Sequence, residues 1–231
     1  MRRGGWLLAA LLAAPVAWAG RPLSVEDASV VGRHGCQVEA WIDRAHDVTK
    51  GWLVPACNFG FDTEWQAGFA RTRADGESRY SEAYVQAKAL LRAATDAEPW
   101  GVGLVLGMVK RPLNESRRDW DHPYVLGIFT QGLCGAPVLF HANLGWTRDA
   151  EARRDLTLWG VAVEGQVSDR VALLAEAFGE NASSPFLRAG ARWTVTRGLD
   201  LDLSWVVRPG GTREERFVSL GVTWQTGALS P

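Results

Sequence analysis

Charged side chains of both signs recur at alternate positions along much of this chain. An unpaired charge held away from water is costly, so acids and bases sharing one face predict either a polar pathway or a network of neutralising ion pairs. Both interpretations stay open at this point. The residues predicted to line such an interior, aromatic members and a histidine included, are Glu39, Asp62, Glu64, Tyr84, Lys88, Arg92, Phe129, His141, Glu164, Glu176, Phe178, Arg188, Arg192, Asp200 and Asp202.

The aromatic members of this set, Tyr84, Phe129 and Phe178, could be filler or a wall for an apolar solute. The sequence offers few residues in arrangements typical of catalysis. His141 is the only histidine within a predicted strand, and no serine lies two residues after it. The chain has no CxxC pair, phosphate-binding loop or metalloprotease motif. The sequence therefore predicts no enzyme, no metal site and no cofactor.

The element that positions these residues is clearest between residues 186 and 207. Leu187, Ala189, Ala191 and Trp193 alternate with polar residues, and the alternation resumes after a short turn at 197–198. This period of two predicts a β-hairpin with one apolar face. Each arm is long enough to cross a bilayer as a tilted strand.

The same unit recurs, which predicts an all-β fold, a transmembrane antiparallel up-and-down β-barrel of about twelve strands. Short connections alternate with longer polar loops, as periplasmic turns alternate with outer loops. The predicted strands are 36–44, 50–58, 61–71, 80–92, 100–110, 123–131, 137–147, 155–166, 170–180, the two arms of the hairpin, and 216–226.

Matching polar to polar residues across neighbouring strands predicts their registers. Asp62 should face Lys88 and Glu64 should face Gln86. Arg192 should lie opposite Asp202, and Gly160 opposite Phe178. The strand at 123–131 should point Tyr124, Leu126, Ile128 and Thr130 outward, which leaves Phe129 inside.

Residues 1–19 have the features of a cleaved signal peptide: Arg2 and Arg3, an apolar stretch, and the small-x-small site Ala17-Trp18-Ala19. The domains are then the signal peptide, a segment at 20–35 below or inside the barrel, and the barrel at 36–231. No later apolar run is long enough for a transmembrane helix.

We expect the protein to reside in the outer membrane of a Gram-negative bacterium, with membrane lipid, the barrel-assembly machinery and a small-molecule solute as partners. The net charge of −1 and the lack of a basic patch give no indication of nucleic acid.

Tryptophan and cysteine positions fit the same topology. Five tryptophans should face outward near strand ends as two aromatic girdles, the alternative being a sandwich core: Trp100, Trp146, Trp193, Trp205 and Trp224. Cys36 and Cys57 are equidistant from the middle of the first hairpin loop, so they either form a disulfide or remain free thiols. Cys134 falls in a periplasmic turn and is expected to be unpaired.

Arg21-Pro22-Leu23, Glu26-Asp27-Ala28 and the strand opening with Gly35, Gln37 and Glu39 resemble the start of the sequences of a transporter family. This family is named for the MetA pathway of phenol degradation, and its Tyr-Val-Gln-Ala-Lys strand is similar to residues 84–88. The resemblance implies an outer-membrane barrel and transport of small, often aromatic molecules. The chain departs from many such barrels because residues 225–231 follow Trp224, the terminal aromatic that would guide assembly.

Together these patterns predict a passive transporter or channel for small, aromatic or amphipathic molecules. Two alternatives belong to other classes. An outer-membrane lipid-modifying enzyme would need a Ser-His-acid group on the barrel exterior. A soluble periplasmic ligand-binding protein would have a β-sandwich or small-barrel fold.

Overall fold

The computed structural model describes residues 20–74, 80–95, 97–110, 120, 122–133, 137–150 and 152–226. Within these residues, alternation of apolar and polar side chains produces extended strands, and no helix is long and apolar enough to cross a membrane. The strands are β1 (Cys36–Arg44), β2 (Val48–Asn58), β3 (Thr63–Ala74), β4 (Tyr80–Arg92), β5 (Trp100–Lys110), β6 (His122–Leu133), β7 (Val138–Asp149), β8 (Arg154–Ser168), β9 (Val171–Glu180), β10 (Phe186–Thr196), β11 (Leu199–Val207) and β12 (Phe217–Thr226).

Each strand pairs antiparallel with its neighbours in sequence, and β1 pairs with β12 to close the barrel. The predicted all-β, twelve-strand, up-and-down barrel is confirmed, and the soluble β-sandwich is excluded. One rim, here called the short-turn end, carries the connections 169–170 and 197–198. The opposite rim, the loop end, carries the connections 181–185 and 208–216. The predicted signal peptide at 1–19 lies outside the described residues.

The two faces of the barrel wall differ in the way that the alternation predicts. Outward side chains are apolar yet exposed, as for Leu144 and Leu220, which are 67% and 59% accessible. Inward side chains are polar yet buried, as for Glu164 and His141, which are 1% and 0% accessible. This inversion of the usual soluble-protein pattern means that the polar groups face one another inside the barrel.

Two predicted registers are observed and one is wrong. Arg192 lies opposite Asp202, and Gly160 lies opposite Phe178. Between β3 and β4, however, Lys88 lies opposite Glu64 rather than Asp62. The shift is by two residues, and because side chains repeat every two residues, polar still meets polar after the shift.

The predicted faces of β6 are reversed. Phe129 pairs with the outward-facing Val102, so it lies on the exterior and not in the lumen. Ile128 is buried inside against Ala28 and Val105. Both faces of β6 carry apolar residues because one covers the barrel exterior and the other packs on an internal segment. A period of two cannot distinguish these two kinds of burial.

Candidate functional site

Residues 20–35, called the lumen segment below, lie inside the barrel and follow its inner wall. Their wall partners lie first on β11 and β12, then on β9, β7 and β6, and finally on β3 and β2. The segment therefore crosses from one side of the lumen to the other and occupies much of its width. The contacts are those of Arg21 with Asp202 and Ser219, Ser24 and Val25 with Glu176, Glu26 with Asn143, Ala28 with Thr130, and Val31 with Glu64 and Asn58.

Wall side chains satisfy the backbone of the lumen segment, which has no strand partner of its own. Asn143 accepts the Glu26 N–H at 2.7 Å and donates to the Glu26 carbonyl at 2.8 Å. The Ala28 N–H donates to Thr130 Oγ1 at 2.8 Å. Buried backbone groups require such partners, so these wall residues specify the path of the segment.

Salt bridges fasten the lumen segment at two places. Lys88 Nζ is 2.8 Å from a Glu26 carboxylate oxygen and 3.0 Å from Asp27 Oδ1. Arg21 is 2.8 Å from Asp202 Oδ1, and both side chains are almost fully buried. In each case the charge on the wall is neutralised by the opposite charge on the segment.

Arg188 and Arg192 are paired with wall carboxylates and also hold the segment. Arg188 lies 3.0 Å from Glu176 and donates to the Pro22 carbonyl, and Arg192 forms a salt bridge with Glu164. Arg192 and Asp202 are neighbours across the sheet, yet each bonds a different partner. Of the two interpretations left open for these charges, the contacts favour a neutralising network.

Two further candidates for the lumen do not line it. Asp62 lies in the turn before β3, is exposed, and is 3.7 Å from Arg33. Arg92 follows an irregularity in the pairing of β4 with β5 and places its guanidinium 3.7 Å from the centroid of the outward-facing Trp100. With Phe129, these are the lumen predictions that the structure contradicts. In each case a turn, a bulge or a two-faced strand breaks the simple alternation.

A cavity of about 510 Å³ remains between the lumen segment and the wall. Its lining includes Asp43 and Phe217 at the loop end and Gln37 and Gln225 at the short-turn end. The space thus borders residues from both rims of the barrel. It lies chiefly beside β1, β12 and the neighbouring strands.

An aromatic row lines this cavity, and the sequence analysis predicted its tyrosine but missed its two tryptophans. Trp41 and Trp52 lie opposite each other and stack with ring centroids 5.4 Å apart. Tyr84 continues the row, with its ring centroid 5.9 Å from that of Trp52. The signal was present, because Trp41 is one residue out of phase with the apolar face of its strand, alongside Glu39 and Asp43.

Four carboxylates on the cavity lining form no salt bridge with the described residues: Glu39, Asp43, Glu64 and Asp200. Glu39 accepts the Arg21 N–H at 3.3 Å, and Glu64 accepts the Val31 N–H at 2.8 Å. Asp43 accepts from Trp41 Nε1 at 3.2 Å. The inward cations Lys88, Arg188 and Arg192 are all paired, so the ionisable groups beside the cavity that lack a salt-bridge partner among the described residues are acids.

At the loop end, aromatic and charged residues frame the mouth of the lumen. Phe178 and Phe186 stack with centroids 5.6 Å apart, and Arg208 lies 4.7 Å from the Phe186 centroid. The hydrogen bond from Arg208 lowers the pKa of Glu215. These contacts tie the loop that follows β11 to the rim.

His141 is completely buried in the lumen, with Nδ1 2.9 Å from Thr130 Oγ1. It faces inward, so it does not supply the exterior Ser-His-acid group of the enzyme alternative. Among the described residues, no group of three His, Cys, Asp or Glu side chains is arranged to hold a metal ion.

The remaining site predictions concern cysteine and tryptophan. The structure joins Cys36 and Cys57 in a disulfide at the short-turn end, and Cys134 lies outside the described residues. All five predicted girdle tryptophans point outward. Trp100, Trp193 and Trp224 lie toward the short-turn end, and Trp146 and Trp205 lie toward the loop end.

Solved structures with similar folds are outer-membrane porins. The KdgM porin has a TM-score of 0.61 at 7% identity, covering 83% of this chain and 99% of its own. A KdgM structure "in complex with disordered oligogalacturonate" has a TM-score of 0.62 at 7% identity, with the same coverage. The NanC porin has a TM-score of 0.56 at 8% identity, covering 84% of this chain and 100% of its own. At these identities the likeness establishes the fold.

No curated protein sequence matches this chain. The barrel that the resemblance implied is observed, whereas the family model that matches gives no support for the MetA-pathway family itself. The match extends over residues 7–225, nearly the whole chain. The chain belongs to the family described as "Uncharacterised conserved protein UCP029691".

Proposed function

We propose that this protein is an outer-membrane channel for passive movement of small solutes with an aromatic or amphipathic body, cationic or neutral rather than anionic. The observation that carries the proposal is the cavity beside the lumen segment, which borders residues from both rims. A barrel of about twelve strands is intermediate between a filled and an open one, so a partly filled lumen with a residual path fits its size.

The barrel exterior supports the outer-membrane location. Exposed apolar side chains cover the strands, and the outward tryptophans near both rims suit the two lipid–water interfaces. The predicted signal peptide would export the chain, and insertion would use the barrel-assembly machinery. In this arrangement the short-turn end is periplasmic and the loop end faces the medium.

The lining of the cavity supports the solute class. Trp41 and Trp52 stack and add aromatic surface to the cavity, and this row already attracts cations of the chain itself. Arg21 Cζ lies 4.4 Å from the Trp41 centroid and Lys50 Nζ 4.6 Å from the Trp52 centroid, so a solute would contact the ring surface that these cations leave exposed. Asp43, Glu39 and Glu64 place carboxyl groups, which can accept hydrogen bonds from a cation, at successive depths from the loop end toward the short-turn end. The KdgM complex contains oligogalacturonate, a polyanion. The uncompensated carboxylates here do not favour that ligand class.

Solute flux into liposomes tests the aromatic part of the proposal. Benzylammonium should enter faster than its saturated analogue cyclohexylmethylammonium, and Trp52→Leu should reduce this preference about threefold, within the range of a lost aromatic contact. Trp65→Leu is the matched control, because Trp65 faces outward and is 57% exposed. The aromatic proposal fails if Trp52→Leu and Trp65→Leu leave the same preference.

Charge selectivity is tested by comparing benzylammonium with benzoate and by reversal potentials in planar bilayers. The wild type should favour the cation, and Glu39→Gln should weaken that preference because it removes a carboxylate with no salt-bridge partner among the described residues. A wild-type preference for benzoate would overturn the cation assignment. Absence of flux for every small solute through a folded, inserted barrel would overturn the channel itself.

The membrane location predicts a cost for charge on the exterior. Leu203→Arg, at the middle of the outward face of β11, should destabilise the barrel in lipid by about 2–4 kcal/mol, the cost of a cation near the bilayer midplane. Leu203→Phe, which stays apolar, is the control. Urea unfolding of barrels reconstituted in vesicles measures both. Equal stability of the two variants would contradict lipid contact at this position.

A further inference from the structure

Four cations point outward near the loop end of β1, β3 and β5: Arg44, Arg71, Arg73 and Lys110. Across the sheet, Arg44 and Arg73 both neighbour Thr49, whereas Arg71 neighbours Gly51. Lys110 neighbours the outward-facing Ala83. The described outward positions of β1 to β5 include no carboxylate, and no salt bridge joins these four cations to another described residue. They form a basic cluster that no carboxylate of the described residues neutralises.

A groove of about 1030 Å³ lies on the outer wall directly beside this cluster. Its floor is at Gly51, where an added Cβ would meet nothing within 4 Å. Ile42, Leu53 and Phe69 form apolar walls, and Arg71 and Lys110 lie at the edge. The groove therefore has apolar walls that could contact a hydrocarbon chain, and it has positive charge at one end.

The other half of the loop end has a different surface. There Arg148 is outward but pairs with Asp155 at 3.1 Å across the sheet. Trp205 and Val218, which occupy the corresponding level on β11 and β12, are uncharged. Among the described outward strand positions at this rim, the cations without a salt bridge thus lie on the side that carries the groove.

We propose that the groove and the basic cluster bind a phosphorylated glycolipid of the outer leaflet. An acyl chain lies against Gly51 between Ile42, Leu53 and Phe69, and a phosphate is held by Arg71, Arg73 and Lys110. This rests on the outer-membrane location proposed above. Arginine suits the ligand because its guanidinium donates two parallel hydrogen bonds to phosphate oxygens.

The charge distribution favours lipid over a second copy of the chain as the occupant. A twofold interface applies the same patch to itself, which would bring the four cations of each copy toward those of the other. A phosphorylated lipid supplies the opposite charge and the apolar chain together. The groove and cluster are also at the rim where such headgroups lie in the outer leaflet.

Native mass spectrometry of the purified barrel in detergent tests the site with diphosphorylated lipid A as the probe. Dephosphorylated lipid A and inorganic phosphate separate the contributions of charge and chain. The protein should retain diphosphorylated lipid A, retain the dephosphorylated form much less, and show no binding of phosphate alone. Equal retention of the two lipids would overturn a phosphate site, and binding of inorganic phosphate alone would overturn the lipid assignment.

Variants locate the site. The triple variant Arg71→Gln, Arg73→Gln and Lys110→Gln should reduce retention of diphosphorylated lipid A about tenfold, as loss of charge-assisted hydrogen bonds predicts. Gly51→Phe, which fills open space, should reduce retention of both lipids. Arg148→Gln is the matched control at a paired cation. The site is refuted if Arg148→Gln and the triple variant lose retention equally, or if a lipid-independent dimer covers the groove.

The result for the lipid site does not depend on whether the barrel conducts solutes. Lipid retention is measured in detergent without any solute flux. A barrel that conducts small solutes but retains no phosphorylated lipid refutes only the lipid site. A barrel that retains the lipid at these residues and conducts nothing refutes only the channel.

Discussion

Deleting residues 21–34 should raise the single-channel conductance of the reconstituted barrel by roughly tenfold, because a twelve-strand lumen cleared of its filling admits water. The lumen segment contacts wall residues on opposite sides of the barrel, including Asp202 and Glu64. Its removal leaves those wall charges facing water, which hydrates them. The deletion should therefore give a wider pore in a barrel that is still closed.

Shortening the exposed loop at 209–213 is the control for this deletion, since that loop lies at the rim and not in the lumen. Its conductance should stay near the wild-type value. A deletion variant that unfolds on heating like the wild type, yet conducts no better, would show that the lumen segment does not limit the path. If the deletion variant fails to fold, a cleavage site inserted at 32–33 tests the same point after the barrel has assembled.

Lys88→Met should produce the largest loss of stability among single substitutions in the lumen. It leaves Glu26 and Asp27 without the cation that both contact. Breaking a buried ion pair from one side costs about 3–5 kcal/mol, because a charge stays behind without a partner. Urea unfolding in detergent micelles, followed by tryptophan fluorescence, measures the change.

Neutralising both partners distinguishes this mechanism from simple loss of packing. Adding Glu26→Gln and Asp27→Asn to Lys88→Met should restore much of the lost stability, since no charge is then stranded. Arg33→Met is the external control: its pair with Asp62 is exposed, and such pairs contribute about 0–1 kcal/mol. A Lys88→Met variant as stable as Arg33→Met would contradict the role given to the buried pair.

The alternation of side chains was sufficient to predict the barrel and most of its strands. Strands such as β1 and β5 have the predicted bounds because apolar side chains must face outward at every second position. The pairing of β3 with β4 was predicted two residues out of place, since the alternation is unchanged by that shift. Phe129 was assigned to the wrong face because β6 is apolar on both sides.

The path of the lumen segment could not be read from the sequence. Its contacts join residues far apart along the chain, as when Arg21 meets Asp202, and the segment has no periodicity of its own. The predicted lumen charges were therefore placed correctly in most cases, but the sequence did not show which of them bond to each other. Arg192 illustrates this, because its cross-strand neighbour Asp202 is already bonded to Arg21. Its own partner, Glu164, lies on a strand that does not adjoin β10.

The path of the lumen segment also determines when its contacts can form during folding. The segment leaves the ribosome before every strand, yet Asp202 and Ser219, the partners of Arg21, are synthesised near the end of the chain. Until β11 and β12 are in place, the Arg21 guanidinium has neither of these acceptors, and such long-range contacts form late because closing a long loop is slow. Residues synthesised before every strand are thus among the last to form all their contacts, and the contacts of Arg21 stabilise only a barrel whose last strands are in place.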